Sequence, residues 1–445
     1  MENVVNVEQL KQRAMGCGAV GIKFLQFITM QNTVVSQKNK HLLMDVFEHC
    51  CEHPWEYTAA VYKQQFRQDM EDDFDMSDES CKIPIGSGSI GQVYKLYHKG
   101  LQRHVAVKVK HPGVVDMYTR FVRNVTCVLG ITERFVNVPF SVLVKEFIHN
   151  IEKQMDYYNE AKNTTHLRTL FANEESIVIP TIYSFRQDII IMSYHDGVPF
   201  YDLTCPYLRN KVSFELYLFL MTSFISFDFT HCDLHYGNFK VQLDPQTRNG
   251  FRLVVYDCGI VSTTNRPEVN KDIILHAFAA DYVALAKLMA STPLSQQPNG
   301  KKVLAKLTEM HDAAQHQQVD NSDVMNNSIK QLMIHNVLID TDILRSTQGV
   351  MIAMNVAAIC TDNFTKLMQS NKKSREVITV YNHAMLKRLG IYREMERDLW
   401  MWIDSDPTML ATFYDWLEEA HGHRDIDVFI DAMLKLQFNI KPLTR

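Results

Sequence analysis

Three of the chain's 17 glycines, Gly86, Gly88 and Gly91, fall within six positions, and strand-like segments flank them on both sides. Glycine is sparse elsewhere in these 445 residues, so the cluster marks a backbone that must turn tightly or approach another group closely. It also marks a change of period. Residues 1–79 read as helical, with Gly16, Gly18 and Gly21 interrupting the pattern early. From Lys82 onward apolar residues alternate, and residues 83–85, 92–97 and 104–110 read as strands. Residues 140–170 then read as one long helix with the apolar stripe Val144, Phe147, Ile148, Ile151 and Met155. Strands are expected at 177–179 and 189–194, followed by a turn at Asp196-Gly197. The remainder reads as helical, interrupted by short strands at 241–243 and 252–256 around a turn at 245–250. The expected fold class is α+β: a helical extension over 1–79, a small sheet-rich lobe over 80–198 and a larger helical lobe over 199–445.

Composition narrows the function classes. With 46% hydrophobic and 22% charged residues the chain has ample material for a core. Its 46 Lys+Arg against 51 Asp+Glu, a net charge of −5, argue against sequence-independent nucleic-acid binding, which needs clustered cations. The nine cysteines are scattered and form no CxxC pair, which fits free thiols in a reducing compartment better than a disulfide framework or a zinc site. The longest uncharged run, 346–361, has 16 residues and includes Gln348 and Asn355. A membrane-spanning helix needs about 20 predominantly apolar residues, so no transmembrane span is expected. The start, MENVVNVEQL, resembles neither a signal peptide nor a transit peptide, and the expectation is an intracellular protein of open compartment.

Four stations carry chemistry. Gly86-Ser87-Gly88-Ser89-Ile90-Gly91-Gln92-Val93 lies between strands, the arrangement of a kinase-type phosphate loop and not of a strand-to-helix dinucleotide site. A glycine-rich hairpin turn is the plain alternative. Val105-Ala106-Val107-Lys108 follows on the next strand, where a lysine can reach nucleotide phosphates if an acid holds it; Glu160 is the candidate acid. His231-Cys232-Asp233-Leu234-His235-Tyr236-Gly237-Asn238 places Asp and Asn five apart. In phosphotransferases the Asp takes a proton and the Asn offers Mg²⁺ a hard oxygen. Asp257, 19 residues after Asn238 at the end of an apolar strand, is the candidate second metal carboxylate. His231 reads as a structural residue of its loop.

Taken together, the segments Pro84 to Tyr94 and Val105 to Val114 resemble the UbiB family of atypical kinases, the aarF-domain kinases. Asp156-Tyr157, Glu160-Ala161-Lys162-Asn163, the 231–238 loop and the Asp257 strand add to the likeness. The resemblance implies a protein-kinase-like two-lobed fold with an N-terminal helical extension over the active site. It implies ATP and Mg²⁺ as cofactors and an unknown phospho-acceptor. The nucleotide would be held by Gly86, Ser87, Gly88, Ser89, Gly91, Val93, Lys108, Met192 and Tyr194. Asp233, Lys108 and Glu160 would be catalytic, and Asn238 and Asp257 would hold metal. In the extension, Lys23 and Gln26 match the family's Lys-x-Gly-Gln element, with Leu25 in place of its glycine.

Other departures are Gly86, Ser87 and Gly88 for an alanine-rich loop, Gln154 for a glutamate, Cys258 for phenylalanine and Tyr236 for proline. By resemblance the chain is an ATPase or phosphotransferase in isoprenoid-lipid, coenzyme Q-like metabolism, with peripheral membrane or lipid contact allowed. A nucleotide-binding pseudokinase scaffold and a small-molecule phosphotransferase of the aminoglycoside or choline kinase type remain open.

Overall fold

A computed structural model describes residues 52–132, 140–247, 250–278, 281–314 and 321–360. Lys23, Leu25 and Gln26 lie outside the described residues, as does the helical tail expected after residue 360. The chain packs as two compact units. Among the described residues, one takes those from 52 to 173 with 179–195 and 256–347; the other takes 174–178, 196–255 and 348–360.

The first unit opens with helices α1 (Trp55–Phe66) and α2 (Met70–Asp73). Strands β1 (Phe74–Asp75), β2 (Gly86–Ser87), β3 (Gly91–His98) and β4 (Arg103–Lys110) follow. Helices α3 (Val114–Thr132), α4 (Phe140–Met155) and α5 (Tyr157–Leu170) come next. After β5 (Ile177–Val178), which belongs to the other unit, β6 (Ile182–Phe185) and β7 (Ile189–Ser193) complete the first sheet. Its order is β1-β3-β4-β7-β6, with β2 paired to β3 and every neighbouring pair antiparallel.

Alternation on β4 decides what each face does. Val105, Val107 and Val109 are fully buried against Tyr62, Phe74, Tyr94 and Leu96. Ala106 turns to the other face, among Ile90, Val114, Tyr157, Ile190 and Met192, and the period of two sends Lys108 to that side as well. Two positions differ from the sequence expectation here. The strand expected at 83–85 starts at Gly86, and Ile83 and Ile85 are exposed. Phe74–Asp75 and Ile182–Phe185 are strands that the sequence pattern does not announce.

The single helix expected over 140–170 is two helices. Asp156 leaves the helical region (φ −90°, ψ 92°), and its carboxylate accepts from the amides of Tyr158 and Asn159 at 3.1 and 3.2 Å. This is an N-cap, which satisfies amides that a helix start leaves without partners. α4 packs its Phe147 and Ile151 against Tyr118 and Phe121 of α3.

In the second unit, helix α6 (Pro206–Met221) precedes β8 (Thr230–His231), β9 (Phe239–Leu243) and β10 (Phe251–Val255). β10 is central in a three-stranded sheet, antiparallel to β9 and parallel to β5. Val212, Leu216, Phe219 and Leu220 bury one side of α6.

Back in the first unit, β11 (Val261–Ser262) leads to α7 (Glu268–Phe278), α8 (Tyr282–Met289), α9 (Gly300–Ala314) and α10 (Asn321–Ile334). Leu285, Ala286, Met289, Val303, Leu307, Met325 and Leu332 are buried there. The last described helix is α11 (Thr341–Cys360). No described helix is long and apolar enough to cross a membrane.

Candidate active site

Lys108 is the centre of a charge cluster within the first unit. Its Nζ lies 2.7 and 2.8 Å from the two carboxylate oxygens of Glu160 and 3.2 Å from Oδ1 of Asp257. The side chain of Glu160 is 2% exposed, that of Lys108 12% and that of Asp257 32%, so the pair is buried and the third member faces outward. Burial opposes the charge on Lys108, but Asp257 and then Glu160 more than offset that and hold the ammonium above its ordinary range. Burial pushes the Glu160 carboxyl up to about 7; Lys108 opposes that rise and Asp257 adds to it.

The break at Asp156 explains how Glu160 reaches Lys108. On an unbroken helix its position falls away from the α4 stripe; the new helix resets the phase, and Glu160 sits in the first turn of α5. Glu152, closer to that stripe, instead accepts a hydrogen bond from Tyr118 Oη at 2.7 Å. α5 also holds the segment after Asp257. Asn163 Nδ2 donates to the Cys258 carbonyl and Asn159 Nδ2 to the Gly259 carbonyl, each at 3.0 Å. Asp257 itself has φ 61°, in the left-handed region, where a non-glycine residue needs its surroundings to hold it. Cys258 is fully buried, and burial pushes its thiol up to about 12, so it is a packing residue and not a thiolate.

The glycine loop closes the hairpin between β2 and β3, with Gly88 N donating to Gly91 O at 2.9 Å. Gly91 is required sterically, because any Cβ there would overlap the Val109 carbonyl and the Tyr157 hydroxyl. Two hydroxyls here, Ser87 Oγ and Tyr157 Oη, are buried and make no hydrogen bond among the described residues. They are donors of the kind a phosphate oxygen accepts from. Tyr157 also carries Lys108 and Lys110 over its ring, at 5.3 and 4.9 Å from the centroid. Val93 and Tyr194 pack against the cluster that contains Ala106 and Met192, so three expected nucleotide contacts share the Lys108 face of the sheet.

The 231–238 loop belongs to the second unit. His231 is fully buried, and its Nδ1 accepts from the Asp233 amide at 3.2 Å, which makes it a brace for the turn. Asn238 Nδ2 donates to the Asp233 carbonyl at 2.7 Å, which fixes the amide plane with Oδ1 as its acceptor atom. His235 Nε2 is 3.9 Å from Asp233 Oδ2. Gly349 on α11 lies so close to Cys232 that a Cβ there would sit 3.0 Å from its Cα.

Asn159, Tyr157 and the histidines described below were not expected from sequence as site residues. Asn163 stands in the Glu160-Ala161-Lys162-Asn163 string without a role, and its i, i+3 spacing from Glu160 was the available signal. No group of three or more His, Cys, Asp or Glu suited to a metal occurs among the described residues. Mg²⁺ needs no such cage, since it binds through one or two carboxylates plus substrate phosphates, and the half-exposed Asp257 carboxylate fits that use.

Residues 45–289 match the ABC1 atypical kinase-like domain, more than half of the chain. An aarF domain-containing protein kinase of Arabidopsis thaliana, named as chloroplastic, is 29% identical over 218 residues, covering 46% of this chain and 29% of the relative. The ABC1 family protein MCP2 of Saccharomyces cerevisiae is 27% identical over 259 residues, covering 55% and 45%. The chain spans about half the length, or less, of the curated relatives it matches. A solved Mycobacterium tuberculosis structure, a complex of Rv3197 with erythromycin, aligns at 16% identity with a TM-score of 0.45, over 76% of this chain and 90% of that one.

Proposed function

Because this chain belongs to the ABC1 atypical kinase-like family, that of the aarF-domain kinases, we propose that it binds Mg–ATP and either hydrolyses it or transfers its γ-phosphate. The observation that carries this reading is the buried Glu160–Lys108 pair with Asp257 as its partly exposed third member. An ammonium fixed by two carboxylates keeps one position, and that position is what a phosphate contact needs.

When bound, Mg²⁺ supplies charge neutralisation for the phosphate oxygens. The chain's own residues do the rest. Lys108, held by Glu160, would place its ammonium on the phosphates, and Asp257 would offer a hard oxygen to the metal. The Ser87 and Tyr157 hydroxyls and the amides of the 86–91 loop would donate to phosphate. By family likeness, Asn238 would present Oδ1 as a hard oxygen ligand. Asp233 would accept the proton of the attacking hydroxyl or water, its backbone set by His231 and Asn238. Val93, Met192 and Tyr194 would pack on the base of the nucleotide. A role in isoprenoid-lipid metabolism, with peripheral membrane contact, belongs to the same reading by family likeness.

The test is phosphate release from Mg–ATP by the chain, with and without added hydroxyl acceptors. Turnover without an acceptor makes it an ATPase, and turnover that needs a small-molecule or protein hydroxyl makes it a kinase. Nucleotide binding without either would replace catalysis by a switch that responds to occupancy.

A further inference from the structure

Outside the ion cluster, the first unit buries two adjacent histidines. His53 and His111 are 6% and 8% exposed, and their Nδ1 atoms lie 2.8 Å apart. His53 Nε2 is 2.8 Å from Thr58 Oγ1, and His111 Nε2 is 2.9 Å from the Gly88 carbonyl oxygen. Thr58 Oγ1 is 3.0 Å from Tyr94 Oη, which Gln92 Nε2 also contacts. Gln92 then closes on the His53 backbone, donating to its carbonyl at 2.9 Å and accepting from its amide at 3.0 Å.

The Gly88 carbonyl sets the protons at one end of this chain of contacts. The Gly88 carbonyl can only accept, so His111 carries its proton on Nε2. Burial first, and then the neighbouring His111, lower His53 to about 4. Burial lowers His111 as well, against the Gly88 hydrogen bond and the charge of Glu52. Both rings are therefore neutral near pH 7. A neutral His111 has a bare Nδ1, so His53 donates to it from Nδ1–H. Thr58 Oγ1 lies within hydrogen-bond distance of both His53 Nε2 and Tyr94 Oη, and Tyr94 Oη accepts from Gln92 Nε2. The edge of the Tyr57 ring packs on His53, with centroids 4.8 Å apart.

The chain ends on the glycine loop. His111 binds two of its carbonyls, Gly88 through the ring and Ile90 through its own backbone amide at 2.8 Å. A loop that offers N–H groups to an anion must keep its carbonyl dipoles turned elsewhere. The amides of Ser89 and Ile90 make no hydrogen bond among the described residues.

We infer that His111, oriented through His53 and Thr58, is a positioning residue of the glycine loop, fixing its carbonyls so that its free amides face an anionic ligand. This rests on the reading of that loop as a phosphate cover, and the test separates the two. The chain, labelled with ¹⁵N-histidine, should show at pH 7 one ring protonated at Nε2 and one at Nδ1, assigned by their loss in His111→Phe and His53→Phe. In His111→Phe, amide exchange over 86–91 should rise roughly three- to tenfold, the effect of one ordinary lost hydrogen bond, while β4 and β7 stay protected. Mg–ATP affinity should fall by a similar factor. His111→Gln, which still donates, should recover most of both effects, and Thr58→Val should leave His53 protonated at Nδ1, because the bare His111 Nδ1 holds that proton. Identical tautomers in the two rings, or unchanged loop exchange in His111→Phe, would overturn the inference. If His111→Phe does not fold, Thr58→Val and the parent spectrum decide it. A parent that binds no Mg–ATP would overturn the proposed function alone, and loop exchange would still decide the positioning role.

Discussion

Lys108 is one cation between two carboxylates, and that ratio makes the three residues unequal. Removing Glu160 leaves Lys108 paired with Asp257, whereas removing Lys108 takes the shared cation from both acids. Lys108→Met should therefore cost about 3–5 kcal/mol, the range for breaking a buried pair from one side. Glu160→Gln should cost roughly 1.5–3 kcal/mol, the scale of a hydrogen bond to a charged group. Urea unfolding of the two variants compares them, and equal losses would contradict the cluster as described.

Two residues also give stability opposite dependences on pH. Glu160 rises from 4.5 to about 7, so between those values the folded state holds a proton that the unfolded state has lost, and stability falls as pH rises. His53 drops from 6.5 to about 4, so stability is present above 6.5 and falls as pH falls toward 4. Glu160→Gln should leave a steeper acid-side loss than the parent, and His53→Asn a shallower one; parallel melting-temperature profiles from pH 4 to 7 would contradict both assignments. Motif order and spacing singled out Lys108, Glu160 and Asp257, which come together in the structure, and Asp233 and Asn238, whose roles are proposed. Asn159, His53 and the Gly88 contact were not singled out, because each bond joins residues 23 to 100 positions apart and leaves no local pattern.

Among the elements, the two helices around Asp156 set the geometry of the cluster. The apolar stripe of α4 gives no warning of the break, since Met155 continues it to the last residue before the cap. The signal was the aspartate itself, an N-cap residue type in front of a polar run. Asp156→Ala should cost about 1 kcal/mol, the usual value of a lost N-cap. It should also speed amide exchange over 157–164 more than over β3 and β4, while Asp156→Ser keeps most of the stability. Uniform acceleration would mean that the cap does not hold α5 locally. Strands β3 and β4 were legible because alternation over eight residues is a real period, and β7 and β10 because short apolar runs sit between turn signals. A two-residue strand such as β1 has no period to read. Gly91→Ala tests the tight side of the hairpin: the added methyl meets the Val109 backbone as well as the Tyr157 hydroxyl, and the backbone cannot swing aside, so the variant should lose about 1–3 kcal/mol by overpacking.

At the scale of the whole molecule, each compact unit is assembled from stretches far apart in the sequence, which no local pattern announces. The α+β, kinase-like fold class was legible because it depends on the order of elements and on motifs that keep their sequence spacing. The central claim is that this order serves metal-dependent nucleotide chemistry, and calorimetric titration of the chain with ATP in the presence and absence of Mg²⁺ tests it most directly. The parent and Asp233→Asn should bind alike, because a base acts only along the reaction path. Asp257→Asn should lose the Mg²⁺-dependent part of the affinity, having lost its anionic metal ligand. Equal, metal-independent affinities in all three, or no binding by the parent, would contradict the account.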